Sequence, residues 1–188
     1  GDVYKRQVWI LLAVVVLLVI AGIAIYNNLQ RLNVNVHEGF AQIEVQLQRR
    51  ADLIPNLVET VKGYAAHESA TFEKVVQARA QATAAQGVHD VAQADGQLTQ
   101  ALRGLLAVSE AYPDLKASEN FRALQEELSS TENKIGFARQ YYNDNVRKLN
   151  QAIVTFPSNI FAGMANVTKA DFYEVSDPGK RDVPNVQF

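Results

Sequence analysis

An unbroken apolar segment lies near the start of the chain, and after it apolar residues recur at intervals between polar ones. Residues 8–26 contain no charged side chain, and the centre of this segment reads WILLAVVVLLVIAGIAI. A helix of this length crosses roughly 30 Å of hydrocarbon. Trp9 and Tyr26 lie where aromatic side chains flank a bilayer. The pattern therefore predicts a single transmembrane helix over residues 8–26.

Two alternatives to a membrane anchor are open from this segment alone. The triplet Gly22-Ile23-Ala24 places small residues where a signal peptidase prefers them. Lys5 and Arg6 supply a basic region in front of the apolar run, so a cleaved signal peptide also fits. A buried helix of a soluble protein is the other alternative. The apolar run is longer than in most signal peptides, which favours the anchor.

Beyond the anchor, apolar residues recur at spacings of mostly three and four, the period of an amphipathic helix. Pro55 falls inside this stripe and removes one backbone donor, so a kink is expected there. The helix is expected to continue to about Gln86. The stripe consists of Val36, Phe40, Ile43, Leu47, Ile54, Leu57, Val61, Phe72 and Val75.

A second helix is predicted after a turn at residues 87–90. Asp90 is expected to cap this helix, and its apolar positions continue to Tyr112. Pro113 is expected to end it, since proline breaks the hydrogen-bond pattern of a helix interior.

A third helix shows the longest regular apolar pattern in the chain. Ser118 is expected to cap it and Pro157 to close it, with a short further turn over residues 158–165. Its apolar positions alternate between spacings of three and four. They are Phe121, Leu124, Leu128, Ile135, Ala138, Tyr142, Val146, Leu149, Ile153 and Phe156.

These patterns together predict an all-α fold. A single N-terminal transmembrane helix is followed by an elongated antiparallel helical bundle of three to four long helices, because long helices joined by short loops bury their stripes in that way. Residues 1–7 are expected to be a cytoplasmic or artefactual N-terminal segment. The bundle is expected over residues 27–165, and residues 166–188 are expected to form an irregular tail.

Charge and composition narrow the partners and the chemistry. The formal net charge of −2 argues against nucleic acid as a partner. The absence of cysteine excludes disulfides, thiolate nucleophiles and zinc–thiolate sites. Lys5 and Arg6 precede the anchor, whereas only Arg31 follows it closely. The positive-inside rule therefore predicts a cytoplasmic N-terminus and a periplasmic or otherwise extracytoplasmic domain.

Catalytic and metal-binding patterns are weak. His67-Glu68 begins like a metalloprotease helix motif, but Thr71 stands where the second histidine is needed. Glu126, Glu127 and Glu132 are interpreted as the solvated face of a helix. No Gly-rich phosphate loop or nucleophile-elbow motif occurs. The sequence predicts a protein that is not an enzyme, with no catalytic residue, no cofactor and no metal site.

A polar cluster around Pro55 is the one candidate structural site. Helical ion pairs explain its mixed charges. A sharper hypothesis places Arg50, Asp52 and Asn56 inward, where they meet the third helix and fix its register, as buried polar groups can. The cluster consists of Arg49, Arg50, Asp52, Pro55, Asn56 and Glu59 near the kink, with Tyr141, Tyr142 and Asn143 on the third helix.

Several segments, inside this cluster and elsewhere, match the sequence pattern of a known protein family in the same order along the chain. They are residues 43–50 (IEVQLQRR), 52–65 (DLIPNLVETVKGYA), 67–68 (HE), 112–117 (YPDLKA), 119–121 (ENF), 124–125 (LQ), 131–135 (TENKI), 138–143 (ARQYYN) and 156–157 (FP). In these segments the chain resembles the LemA family of bacterial membrane proteins, over about residues 26–174. The resemblance implies a helical bundle on a membrane anchor without an established catalytic activity. Some members are linked to membrane shaping, and older proposals connect the family to signalling.

Two non-enzymatic functions follow as hypotheses. The first is a scaffold that oligomerises through exposed helix faces and organises or shapes membrane, since the alanine-rich residues 78–85 permit close helix approach. The alternative is a membrane-anchored adaptor or sensor that binds a partner protein through the bundle. The expected partners are the lipid bilayer, further copies of the chain and membrane or envelope proteins.

Overall fold

Helices make up all the regular structure in the described part of the chain. The computed structural model describes residues 1–175, and within that range it contains α-helices and no strand. The helices are α1 (Asp2–Lys62), α2 (Ser69–Ala84), α3 (Val88–Ser109), α4 (Pro113–Ala117), α5 (Glu119–Val154) and α6 (Ser158–Ala165). The all-α class and the long apolar N-terminal helix are confirmed. The expected tail lies outside the described residues from position 176 onward, and the domain boundaries stay predictions.

The chain divides into two compact units. The first, called the anchor unit, comprises Gly1–Gly39 and Tyr142–Ala170. The second, called the core unit, comprises Phe40–Tyr141 and, of the described residues that follow, 171–175.

The core unit is built around one cluster of buried apolar side chains. Five helices contribute to the cluster, so each amphipathic stripe is removed from water by the others. Its fully enclosed members include Leu57 and Val61 from α1, Val75 from α2, Leu105 from α3, Leu115 from α4 and Phe121 from α5.

The expectation that the first helix continues to about Gln86 is wrong. Helix α1 ends at Lys62, and α2 begins only at Ser69. Helix α2 folds back alongside α1: the Arg79 Nε atom near the end of α2 donates a hydrogen bond to the Ala51 carbonyl of α1 at 2.8 Å. One unbroken helix could not bring the apolar positions of α2 back against those of α1. Burial of both stripes therefore requires the break.

The boundaries of α3 also differ from the expected ones. Gly87 precedes the helix with a φ of 84°, and Asp90 lies inside the first turn instead of capping it. Its carboxylate still suits the positive end of the helix dipole. Helix α3 ends at Ser109, and Pro113 opens α4 instead of ending α3. The fixed φ of proline fits a first helical position, where its missing N–H costs nothing.

The predicted register of α5 is largely confirmed. Ser118 directly precedes the helix, and its Oγ accepts a hydrogen bond from the Phe121 N–H at 3.4 Å. Phe156 is exposed because α5 ends at Val154, before that position. The short element expected over residues 158–165 is the helix α6. The buried apolar positions of α5 are Phe121, Leu124, Leu128, Ile135, Tyr142, Val146 and Leu149.

Gly87→Ala is expected to lower the free energy of unfolding by about 1–3 kcal/mol, because its φ of 84° and ψ of 157° are strained for any residue with a Cβ. Gly104→Ala is the matched control. Gly104 is an exposed helical position with nothing within 4 Å of an added Cβ, so alanine there stabilises by about 0.5–1 kcal/mol. Thermal unfolding followed by circular dichroism in detergent measures both. Equal effects of the two variants would contradict the assignment of Gly87.

Candidate functional site

A buried ion pair joins two helices of the core unit. The Arg50 Nη2 atom on α1 donates to the Asp95 Oδ1 atom on α3 at 2.7 Å, and the side chains are only 5% and 3% exposed. A charge removed from water in this way is strongly penalised unless it is paired and hydrogen-bonded. The short contact shows that each charge has its partner.

Thr99 and Tyr173 complete the pair into a network. The Arg50 Nη1 atom donates to Thr99 Oγ1 at 3.1 Å, and the Thr99 hydroxyl donates to the Asp95 carbonyl at 2.8 Å. The Tyr173 hydroxyl donates to Asp95 Oδ2 at 2.7 Å. Both carboxylate oxygens of Asp95 therefore accept hydrogen bonds. We call these four residues the Arg50–Asp95 network.

The Tyr173 hydroxyl is held in its neutral form. Burial raises its pKa, and the negative charge of Asp95 and the hydrogen bond to that carboxylate raise it further. The positive charges of Arg50 and Arg139 oppose this effect but are outweighed. The phenol therefore stays a hydrogen-bond donor well above the pH at which an ordinary tyrosine ionises.

The network is suited to holding elements together. It ties α1, α3 and residues 171–175 together at one carboxylate, so each is fixed in register relative to the other two. A carboxylate that already accepts on both oxygens is poorly placed to take a proton from a substrate. The geometry therefore resembles a structural clamp more than a catalytic pair.

Two small cavities border the network. One of about 100 Å³ is lined by Glu44, Gln48 and Asp95 among others, and one of about 70 Å³ by Thr99 and Glu132 among others. Arg50 lines both, and its Nε atom has no hydrogen-bond partner among residues 1–175. Each cavity can hold water, but both are smaller than the 300–1,000 Å³ typical of small-molecule sites.

Tyr173→Phe is expected to lower the free energy of unfolding by about 1.5–3 kcal/mol near neutral pH, because it removes a hydrogen bond to a buried charge. Because the pKa of the Tyr173 hydroxyl is higher in the folded state than in the unfolded state, the protonated hydroxyl stabilises the fold. This stabilisation is complete below the unfolded-state pKa of about 10 and decreases as the pH rises above that value. The stability difference between the unmodified protein and the variant should therefore shrink above about pH 10. Urea unfolding at pH 8 and pH 11 measures it, with Tyr64→Phe as an exposed control. A difference that grows at pH 11 would contradict the assignment.

The predicted polar cluster is only partly inward. Arg50 is buried, but Asp52 and Asn56 are exposed, so the expectation that all three face inward is wrong. The reason is helical geometry, since residues two or six positions apart on a helix do not share a face. Asp52 instead accepts a hydrogen bond from Gln48 Nε2 at 2.9 Å. Arg49, Pro55 and Glu59 are also exposed.

The α5 members of that cluster differ in burial. Tyr142 is buried, Asn143 is half-buried and Tyr141 is exposed. Their expected pairing with Arg50 stays a prediction, and so does the kink at Pro55, through which α1 continues to Lys62.

Sequence reasoning missed three of the four network residues, namely Asp95, Thr99 and Tyr173. One signal was present: Asp95 occupies the buried stripe of α3 between Val91 and Leu98, where an apolar residue is expected. Arg50 interrupts the stripe of α1 in the same way. Two opposite charges inside neighbouring apolar stripes are a pattern that predicts a buried pair. Tyr173 lies outside any helix, so no periodicity could have marked it.

Metal-binding groups do not converge in the part of the chain that the structure describes. Within residues 1–175, no three histidine, aspartate or glutamate side chains are grouped so that they could hold an ion. A more open groove of about 400 Å³ between α2 and α3 carries Lys74 as its one charged side chain, among glutamines and small residues.

Comparison with known proteins places the chain in a family. The sequence profile of the LemA family matches residues 39–188. Magnetosome protein MamQ 2 of Paramagnetospirillum magneticum is 25% identical, with 98% of this chain and 79% of the relative aligned. Magnetosome protein MamQ of Magnetospirillum gryphiswaldense is 22% identical over the same shares. Protein LemA of Metamycoplasma hominis is 26% identical over 84% of this chain and 72% of the relative. These names describe no enzymatic activity, and the profile spans more than half of the sequence: the chain belongs to the LemA family.

Proposed function

We propose that the protein is a non-enzymatic, membrane-anchored helical scaffold that self-associates and organises or shapes the membrane. The observation that carries the proposal is the apolar stretch of α1. It is long and apolar enough to cross a membrane, and within residues 8–26 no side chain is fully buried and only Gly22 and Ile25 are half-buried. The core helix of a soluble protein would be mostly buried. A lipid bilayer is the surrounding in which such a surface is stable.

The proposed topology is single-pass, with the N-terminus in the cytoplasm and the domain outside it. Lys5 and Arg6 before the span support this orientation, because basic residues are retained on the cytoplasmic side. Relatives named as magnetosome proteins support a role at a membrane.

Self-association is supported by apolar side chains left exposed on the core unit. Phe137 on α5 is 72% exposed and has no polar group that benefits from water. Buried aromatic side chains are common anchors of protein interfaces. We place Phe137 at a contact between copies of the chain, while the Arg50–Asp95 network keeps each copy rigid enough to present that contact.

Phe137→Gln is expected to shift the protein towards smaller assemblies, because it replaces an apolar anchor with a side chain that prefers water. Tyr64→Gln is the control, since Tyr64 is an exposed aromatic residue whose hydroxyl already favours water. Mass photometry of detergent-purified protein at several concentrations measures the distribution. If Phe137→Gln and Tyr64→Gln left the distribution equally unchanged, Phe137 would not be the contact.

A further inference from the structure

The anchor unit contains a second apolar segment, which surrounds α6. No charged residue occurs between Lys148 and Lys169. Phe156, Ile160 and Met164 in this stretch are 75%, 57% and 74% exposed, although all three are strongly apolar. Scattered apolar residues on a surface need no explanation, but three within nine positions of an uncharged stretch do.

Helix α6 packs directly on the apolar part of α1. A Cβ added at Gly22 would lie 3.2 Å from two ring carbons of Phe161, so the missing side chain of Gly22 makes room for that ring. Farther along, the Gln30 Nε2 atom donates to the Ala165 carbonyl at the end of α6 at 3.2 Å. The first contact lies inside the expected span, and the second lies just beyond it.

The position of Gly22 gives the depth of α6. Tyr26 is the aromatic residue at the end of the span, and Gly22 lies one helical turn before it, about 6 Å towards the bilayer centre at 1.5 Å per residue. Helices that lie in the membrane interface bury their apolar face about 5–10 Å into the boundary between headgroups and acyl chains. Phe161 therefore lies at the depth of an interfacial helix.

Two hydroxyl groups and one backbone N–H of this segment have hydrogen-bond partners within the chain. The Thr155 hydroxyl donates to the Gln151 carbonyl at 2.6 Å, and the Ser158 hydroxyl lies 2.6 Å from the Ala152 carbonyl. At the other end, the Val167 N–H donates to the Ala162 carbonyl at 3.1 Å. Such internal pairing is what an environment with little water requires.

An apolar groove runs between α6 and α1. Its volume is about 440 Å³, and Tyr26 carries the one side-chain polar group in its lining. The groove continues the lipid-facing surface of the span, so phospholipid acyl chains have direct access to it. Its lining residues are Val15, Leu18, Val19, Gly22, Ile23, Tyr26, Phe161 and Met164.

We propose that α6 is a second lipid-embedded element, which lies in the interfacial layer of the leaflet at the Tyr26 end of the span, and that a phospholipid acyl chain fills the groove between α6 and α1. This inference rests on the membrane residence proposed above but not on self-association. An inserted helix beside the span takes up area in one leaflet only. Each copy is then wider in that leaflet, which gives a membrane-shaping protein a physical means to bend its bilayer.

Site-directed spin labelling in phospholipid vesicles tests the position of α6 in the full chain. The sequence has no cysteine, so single cysteine variants can be labelled without removing others. Ile160→Cys and Met164→Cys report on α6 and the groove. Leu17→Cys marks the span, and Ser130→Cys marks an exposed polar position of the core unit. Collisions with oxygen, which concentrates in hydrocarbon, are compared with collisions with a water-soluble nickel chelate.

The labels at positions 160 and 164 are expected to give an oxygen-to-nickel collision ratio several-fold above that at position 130 but below that at position 17, because position 17 lies nearer the bilayer centre than an interfacial helix does. A ratio equal to that at position 130 would place α6 in water and overturn the inference while leaving the anchor intact. Low access to both reagents would mean that protein covers α6, which also overturns it. In that case, spin–spin broadening that disappears when labelled protein is diluted with unlabelled protein would show that a second copy of the chain covers α6. A nickel-accessible label at position 17 would overturn the anchor itself.

Discussion

Replacing Arg50 with alanine is expected to destabilise the protein by about 3–5 kcal/mol, because the Asp95 carboxylate stays buried without its positive partner. Domains of this kind have total stabilities of about 5–15 kcal/mol, so the loss is a large fraction of the whole. For a chain of this size it corresponds to a fall in melting temperature of roughly 6–20 °C. Circular dichroism of the detergent-solubilised chain measures the shift.

Two further variants separate this effect from a general loss of packing. Arg49→Ala changes the neighbouring exposed arginine and is expected to stay within about 0.5 kcal/mol of the unmodified protein. A triple variant with Arg50→Met, Asp95→Leu and Tyr173→Phe replaces three of the four network residues with apolar ones, leaves the Thr99 hydroxyl bonded to the backbone carbonyl of position 95, and should recover most of the lost stability. If Arg50→Ala were no more destabilising than Arg49→Ala, the network would not hold the core unit together.

Deleting residues 8–26 is expected to convert the protein from one that resists alkaline carbonate extraction to one that carbonate releases from membranes. The apolar stretch of α1 supplies the only helix in the described residues that is long and apolar enough to span a bilayer. Insertion of about 20 apolar residues is effectively irreversible, whereas an interfacial helix such as α6 gives only reversible binding. Fractionation of cell membranes followed by immunoblotting measures the change.

A matched replacement controls for the length of the deletion. Substituting residues 8–26 with a polyleucine segment of equal length preserves hydrophobicity but removes the native side chains. This variant should remain resistant to carbonate extraction. If the deleted form also remained in the membrane pellet after extraction, a different part of the protein would be the anchor.

The elements that were predictable from sequence are those with strong local signals. The uncharged run over residues 8–26, the Gly87 turn and the register of α5 all depend on residues close together in the chain. The break after Lys62 was missed although Gly63 directly follows it, because a single glycine among helix-favouring residues is a weak signal and residues 65–68 (Ala-Ala-His-Glu) add no further helix breaker. What ends α1 there is the gain from folding α2 back onto it, and that gain depends on partners distant in sequence.

The candidate site shows the same limit. The burial of Arg50 was foreseeable because it falls in an apolar stripe, and helix periodicity also places Asp52 and Asn56 on other faces of α1. Asp95 lies 45 positions from Arg50 and Tyr173 lies 78 from Asp95, so neither contact follows from local spacing. The local signal for the pair was that opposite charges, Arg50 and Asp95, interrupt the apolar stripes of α1 and α3.

The oligomeric state of the full chain in native lipid is the most direct test of the proposed scaffold. Polymer-extracted nanodiscs preserve the surrounding bilayer, and mass photometry or photobleaching step counting gives the number of copies in each particle. A scaffold is expected to give particles with several copies of the chain, with Phe137→Gln shifting them towards one copy. Particles that hold a single copy at every expression level would contradict the proposed function.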